Sequence, residues 1–197
     1  MDNYVYYYEE NLYVNLTNRC SNACEFCLRK NGDGVAEDNL WLKREGSKEE
    51  IADLIKNYDK PYGDVVFCGY GESTYRLDDM LYIADVVHSI GKKTRLNTNG
   101  LGNLINGKDI VPLLKGKIDA VSISLNQKDA YSYQKISCSE FGERSFDELI
   151  KFTRSCVNEK INTTLTVVDV ISDEDIEECR KIAQQIGCNF RVRKYIS

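Results

Sequence analysis

The stretch DVVFCGYGES, residues 64–73, decides how the rest of the chain is read. Its short apolar run reads as a buried strand, and the glycines after it end that strand in a turn. On its N-terminal side, Ser47 with Glu50 forms a capping box. Ile51, Leu54, Ile55 and Tyr58 then fall on one helix face. On its C-terminal side, Met80, Ile83, Val87 and Ile90 make a second helical stripe, with Gly91 as its stop. A strand between two amphipathic helices is the repeating unit of an α/β fold.

The same alternation continues outward. YVYYY and NLYVNLT flank the turn EEN and read as an N-terminal hairpin. KTRLNTNG is strand then turn, IVPLLKG a short helical piece, and DAVSISLN strand. Ser145 with Glu148 is expected to cap a helix carrying Phe146, Leu149, Ile150, Thr153 and Val157. NTTLTVVDVI is strand, and Ser172 with Asp175 caps a helix carrying Ile176, Cys179, Ile182, Ala183 and Ile186, stopped by Gly187. FRVRKYI closes as strand. Six such alternations imply a parallel sheet with helices outside, and ligands in such folds sit beyond the carboxyl ends of the strands. Four polar or glycine-rich stretches fall at those ends: the cysteine run after the first strand of the alternation, then GYGES, NTNG and SLN.

Bulk properties narrow the function classes. The chain has 197 residues, 42% hydrophobic and 29% charged, enough for one sizeable core, so residues 1–197 are expected to be a single domain. A net charge of −5 and a pI near 5.1 offer no bulk attraction to nucleic acid or an anionic membrane. No apolar run approaches a membrane span of roughly 20 residues, and the start MDNYVYYYEEN lacks the pattern of a signal peptide. The cytoplasm is the expected compartment. Eight cysteines there point to metal ligation or buried thiols rather than disulfides.

CSNACEFC, residues 20–27, holds three cysteines separated by three residues and then two. Structural zinc sites and most cluster sites take four protein ligands, and zinc ligands come in pairs. The chain has a single histidine, His88, off the apolar stripe of its helix and read as a surface residue. Three thiolates would suit an iron–sulfur cluster with one iron left open; a zinc knuckle or chance thiols are the alternatives.

With Phe26 before the last cysteine, the run C-x₃-C-x₂-C at Cys20, Cys24 and Cys27 resembles the signature of the radical SAM superfamily. The resemblance implies a 4Fe–4S cluster on these cysteines and S-adenosylmethionine (SAM) chelating the open iron. One electron then breaks the C5′–S bond, and the resulting 5′-deoxyadenosyl radical takes a hydrogen atom from a substrate. It also implies an external one-electron donor of flavodoxin or ferredoxin type, and a small-molecule or peptide substrate.

Later motifs extend the resemblance over about residues 12 to 197. GYGES (Gly69, Tyr70, Gly71, Glu72) resembles the family's glycine-rich turn, whose backbone and glutamate hold the methionine amino group; Ser73 stands where proline is usual. NTNG (Asn97, Thr98, Asn99) resembles a turn near the ribose or methionine, and is otherwise a plain Asn-Gly turn. Ser122, Ser124 and Asn126 share one strand face by the period of two and would reach the ribose. Val167 or Val168 would pack on the adenine, Val168 being the one assigned. Arg191 and Arg193 share a face, and Arg193 would meet the SAM carboxylate or an anionic substrate. The fold so implied is α/β, an open partial (βα)6 barrel with a parallel six-stranded sheet, outer helices and a short N-terminal β-hairpin.

Several details, NLWL (residues 39–42), FCGYGES and VVDVI among them, are similar to small radical SAM proteins associated with TatD-type hydrolases. Two stretches, 29–46 with Trp41 and 127–145 with Tyr131 and Tyr133, are candidates for lids over the barrel gap, or else surface loops with a short helix. Cys156 and Cys179 are expected as buried thiols, while Cys68, Cys138 and Cys188 are isolated. Two other functions compete with hydrogen abstraction from a substrate: an activase that installs a glycyl radical on a partner enzyme, and a non-catalytic iron–sulfur redox protein.

Overall fold

The computed structural model describes residues 2–30, 34–35 and 38–195. In chain order the elements are β1 (Val5–Tyr8), β2 (Asn11–Val14), β3 (Gly34–Val35), β4 (Asp38–Asn39), α1 (Lys48–Lys56), β5 (Val65–Phe67), α2 (Leu77–Ser89), β6 (Thr94–Thr98), α3 (Gly102–Asn106), α4 (Val111–Leu114), β7 (Ala120–Ser124), α5 (Ala130–Ser137), α6 (Arg144–Asn158), β8 (Asn162–Val168), α7 (Asp173–Ile186) and β9 (Asn189–Arg193). The main sheet has the order β1-β2-β5-β6-β7-β8-β9. β1 pairs antiparallel with β2, and the other neighbours are parallel. β1 and β9 are the two edges, so the barrel is open, with six parallel strands and an N-terminal hairpin.

The hairpin turns through Glu9 and Glu10, both at positive φ, 44° and 66°. Asn11 fixes this corner: its Nδ2 donates to the Glu9 carbonyl and its Oδ1 accepts from the Asp64 amide, tying the hairpin to β5.

Period-two alternation divides the sheet into two unlike faces. Leu12, Val14, Val65, Phe67, Leu96, Val121, Ile123, Leu165 and Val167 face the helices and are buried with Ile51, Ile55, Met80, Ile83, Val87, Leu149 and Phe152. Burying each such side chain contributes roughly 1.5–3 kcal/mol. The opposite, concave face carries Tyr13, Val66, Arg95, Asn97, Ser122, Ser124, Thr164, Thr166, Val168, Arg191 and Arg193, placed together by the strand register. At the hairpin end this face is closed by an apolar cluster of Tyr6, Tyr13, Leu40, Val66 and Tyr70.

Local readings meet tertiary packing in several places. Ser47 caps α1 and Ser172 caps α7 through the amides of Glu50 and Asp175, at 3.1 Å each. Gly187 ends α7 at φ 82°. Leu54 and Ile90, expected on apolar faces, are exposed; Ile51, Ala52 and Ile55 carry the buried face of α1. The expected cap at Ser145 is absent. α6 begins at Arg144, and the buried Ser145 hydroxyl bonds instead to Ser139 Oγ at 2.8 Å. Cys156 and Cys179 are buried. His88, partly exposed, pairs with Asp119.

Candidate functional site

The cysteine loop leaves the carboxyl end of β2 and is stitched to a distant segment. The Ala23 amide donates to the carbonyls of Ser137 and Cys138, the Glu25 amide to Ile136, and the Glu140 amide to the Ser21 carbonyl. Asn22 Nδ2 donates to the hydroxyl of Tyr133, which is fully buried. Tyr133 on α5 is therefore a prop beneath the cysteine loop and not part of a lid. Of the other lid candidates, Tyr131 is exposed, and Trp41 stacks edge-on to Tyr70 at 5.0 Å. Residues 31–33 and 36–37 of the first stretch lie outside the described residues. Tyr133→Phe is expected to destabilise the chain by about 1–2 kcal/mol, because Asn22 Nδ2 loses its buried acceptor. Urea unfolding measures this; an unchanged midpoint would remove Tyr133 from the support of the loop.

The three thiols of the loop are free and half-buried. Burial pushes Cys20 up to about 11, and burial with the neighbouring Cys20 and Cys27 pushes Cys24 up to about 12. Phe26 lies between Glu25 and Cys27, half-buried. Among the described residues, no three His, Cys, Asp or Glu side chains converge on a point that would hold a single metal ion. Three thiols on one loop are soft donors of the kind an iron–sulfur cluster takes, each corner metal with its own thiolate. With three thiols and no fourth protein ligand among the described residues, the loop fits such a cluster better than a four-coordinate structural zinc ion.

The glycine turn after β5 lies against the same loop. A Cβ on Gly71 would come within 2.2 Å of the Thr17 carbonyl oxygen and 2.6 Å of that of Arg19, and one on Gly69 within 2.0 Å of Asn15 Oδ1. The glycines are thus required by close passage of two chain segments, a reason the sequence motif does not reveal. The Glu72 carboxylate is buried and already holds four donors. Oε1 accepts from the Thr74 amide and from the hydroxyls of Thr74 and Thr98, and Oε2 accepts from the Asn99 amide at 2.8 Å. Burial raises this carboxyl above its ordinary range, and the hydrogen bonds oppose the rise. Glu72 clasps the GYGES turn to the NTNG turn.

Asn99 continues the chain of contacts, its Nδ2 donating to Ser21 Oγ at 2.9 Å beside Cys20. Cysteine loop, glycine turn and NTNG turn are therefore one hydrogen-bonded unit. Asn97, Ser122, Ser124 and Val168 lie on the concave face, with Val167 opposite in the core. Asn126 does not continue the Ser122–Ser124 face: the strand ends at Ser124, and Asn126 sits at φ 57° with Oδ1 buried and unpartnered. Asn97 Oδ1 and Arg193 Nε are likewise buried without hydrogen-bond partners. Arg193 reaches Ser124 Oγ only at 3.4 Å, and burial depresses its guanidinium. Tyr70 turns into the apolar cluster with Tyr6 and Leu40. Sequence reasoning missed Ser21, Asn22 and Arg95. The alternation of TRLN places Arg95 on the face of Asn97, which was the available signal.

Comparison with known proteins agrees with this geometry. The model of the Radical SAM superfamily matches residues 14–186. A curated relative from Methanocaldococcus jannaschii, "Putative glycyl-radical enzyme activating enzyme MJ1227", is 26% identical over 166 residues, covering 82% of this chain and 64% of the relative. This chain thus spans less than two thirds of that protein's length. Among solved structures, Streptococcus suis SuiB bound to S-adenosylmethionine superposes with a TM-score of 0.72 at 17% identity, over 94% of this chain and 40% of that one. A radical SAM methyltransferase from Sphaerobacter thermophilus superposes at 0.68 and 17% identity, over 96% of this chain and 57% of that one. The chain belongs to the radical SAM superfamily, whose members are enzymes that use a 4Fe–4S cluster and S-adenosylmethionine.

Proposed function

We propose that Cys20, Cys24 and Cys27 hold a 4Fe–4S cluster and that the chain cleaves SAM reductively to begin hydrogen abstraction from a substrate. One observation carries the reading: the cysteine loop and the two polar turns at the strand ends form a single hydrogen-bonded unit through Ser21, Asn99 and Glu72. When bound, the cluster supplies the electron that breaks the sulfonium C–S bond of SAM. The chain's own part is to hold and orient. The carbonyls of the Gly69–Gly71 turn suit the methionine ammonium, while Asn97, Ser122 and Ser124 suit the ribose hydroxyls, and the unpartnered Oδ1 of Asn126, past the strand end, offers them a further acceptor. Phe26 and Asn99 would border the cofactor, Thr98 and Tyr70 would act behind them, one through Glu72 and the other in the apolar cluster, Val168 offers an apolar contact to the adenine, and Arg193 a cation to a carboxylate. Glu72 enters this proposal as the clasp of the turns. A flavodoxin- or ferredoxin-type donor would deliver the electron. The cytoplasm would keep the eight free cysteines reduced.

The test is anaerobic reconstitution followed by dithionite, SAM and an assay for 5′-deoxyadenosine, with Cys24→Ala in parallel. Wild type is expected to form the product. Cys24→Ala is expected to lose it by more than about a hundredfold, since each tenfold is only about 1.4 kcal/mol of barrier. Equal activity in the two proteins, or a wild type that takes up iron yet never binds SAM, would defeat the proposal.

The name of the Methanocaldococcus jannaschii relative favours a second reading, in which the hydrogen comes from a glycine of a partner enzyme. A radical resonance carried by a second polypeptide after SAM cleavage distinguishes it from turnover of a small molecule.

A further inference from the structure

Among the described residues, three arginines on the concave face have no acidic partner: Arg191, which is exposed, and Arg95 and Arg193, which are withdrawn from solvent. Arg95 and Arg193 are each only partly exposed. In both, Nε is buried and unpartnered. Their remaining polar contacts are long, Arg95 Nη2 to Tyr13 OH at 3.4 Å and Arg193 Nη2 to Ser124 Oγ at 3.4 Å. No described carboxylate pairs with either, whereas Arg44, Arg76 and Arg180 all have acidic partners. Both guanidiniums lie within electrostatic range of the Cys68 thiol, and Arg193 also of Cys24 in the cysteine loop. Glu72, the carboxylate that also acts on Cys68, is occupied by Thr74, Thr98 and Asn99, and Glu9 acts on Tyr8 and Tyr13 at the hairpin end.

A cation withdrawn from water without a partner is costly, and five N–H donors in a planar fork suit an oxyanion. We propose that the concavity binds an anionic group of the substrate, a carboxylate or a phosphate, on Arg95 beside Cys68, with the charge of Arg193 adding to the attraction. This rests on the reading of the concave face as the reaction chamber and adds the class of substrate. The SAM carboxylate does not account for the pair. Arg95 lies in register with Val66 and Ala120, two residues before Asn97 and so away from the strand ends where the polar turns gather.

Cys68 makes the recess measurable. It is partly exposed, whereas Cys138, past the end of α5, is exposed and serves as the reference. Iodoacetate and iodoacetamide attack the same thiolate, so the ratio of their rates at one cysteine reports attraction of the anion and not the thiol's ionisation. Site-resolved mass spectrometry of the reconstituted protein is expected to show that ratio about tenfold or more higher at Cys68 than at Cys138, as in a cleft of one charge sign. Arg95→Gln should collapse the difference, and Arg95→Lys, which keeps the charge, should retain most of it. On wild type, malonate and inorganic phosphate are added separately as competitors; whichever slows iodoacetate at Cys68 identifies the anion class. Saturating SAM should leave the preference in place. Equal ratios at both cysteines, no reaction at Cys68, protection by neither competitor, or loss of the preference when SAM binds would each overturn the proposal. SAM binding, read separately on the same protein by equilibrium dialysis, shows whether the cofactor reading itself has failed.

Discussion

Gly71→Ala is expected to cost about 3 kcal/mol, the upper end of the usual overpacking penalty, and to lower cluster loading with it. The added methyl would lie 2.2 Å from the Thr17 carbonyl oxygen and 2.6 Å from that of Arg19. Both obstacles are backbone, so no rotamer change relieves them. The chain must part between the GYGES turn and the segment that leads into Cys20. That parting would also strain the bond from the Glu72 amide to the Arg19 carbonyl, now 2.7 Å. Gly69→Ala is the natural comparison, because its obstacle at 2.0 Å is the Asn15 side-chain oxygen, which has no hydrogen-bond partner of its own. Asn15 Nδ2 donates to the Leu40 carbonyl, so moving that side chain has a cost, but a smaller one. Guanidinium unfolding and iron content per chain measure the pair. If Gly71→Ala proves no worse than Gly69→Ala, the close backbone passage does not set the position of the cysteine loop.

The sheet was legible because its information is local. Alternation, capping serines at 47 and 172, and glycine stops each depend on neighbours a few residues away. Leu54 and Ser145 show the limit of that locality. Leu54 is apolar and helical yet lies off the face that α1 turns to the core. Ser145 stands at the head of a cap pattern, yet Ser139 takes its hydroxyl once the chain has folded.

The site divides in the same way. The spacing of Cys20, Cys24 and Cys27 is visible in eight residues. The groups that hold that loop are not: Tyr133 is 111 positions from Asn22, and Asn99 is 78 from Ser21. Such pairs have no period and no motif. Arg95 was legible, since it shares the alternation of Asn97, but an arginine on a strand gains meaning only when the fold shows that no acid answers it.

Glu72 is the residue to which the structure gives a task that the motif does not reveal. Its carboxylate was expected to meet the methionine ammonium, and the structure gives it four donors from the chain itself. Glu72→Ala is expected to destabilise the fold by about 2–5 kcal/mol, because the amides of Thr74 and Asn99 lose buried acceptors while the two hydroxyls can rotate away. Glu72→Gln should be milder: its oxygen still accepts on the threonine side, but its amide nitrogen would face the Asn99 N–H as a second donor. The two variants also differ from wild type in pH dependence. Burial raises the Glu72 carboxyl above the reference value of 4.5, so the folded chain keeps this proton longer than the unfolded one. Its contribution to stability is therefore fully present below that reference and is lost as pH rises through the raised folded value. In Glu72→Gln that component of the slope disappears, and the stability difference between wild type and the weaker variant should widen on acidification. Urea midpoints at several pH values above 4.5 measure it. A difference that stays constant across the series would mean that Glu72 titrates as it does in the unfolded chain, and that the four hydrogen bonds fully offset its burial.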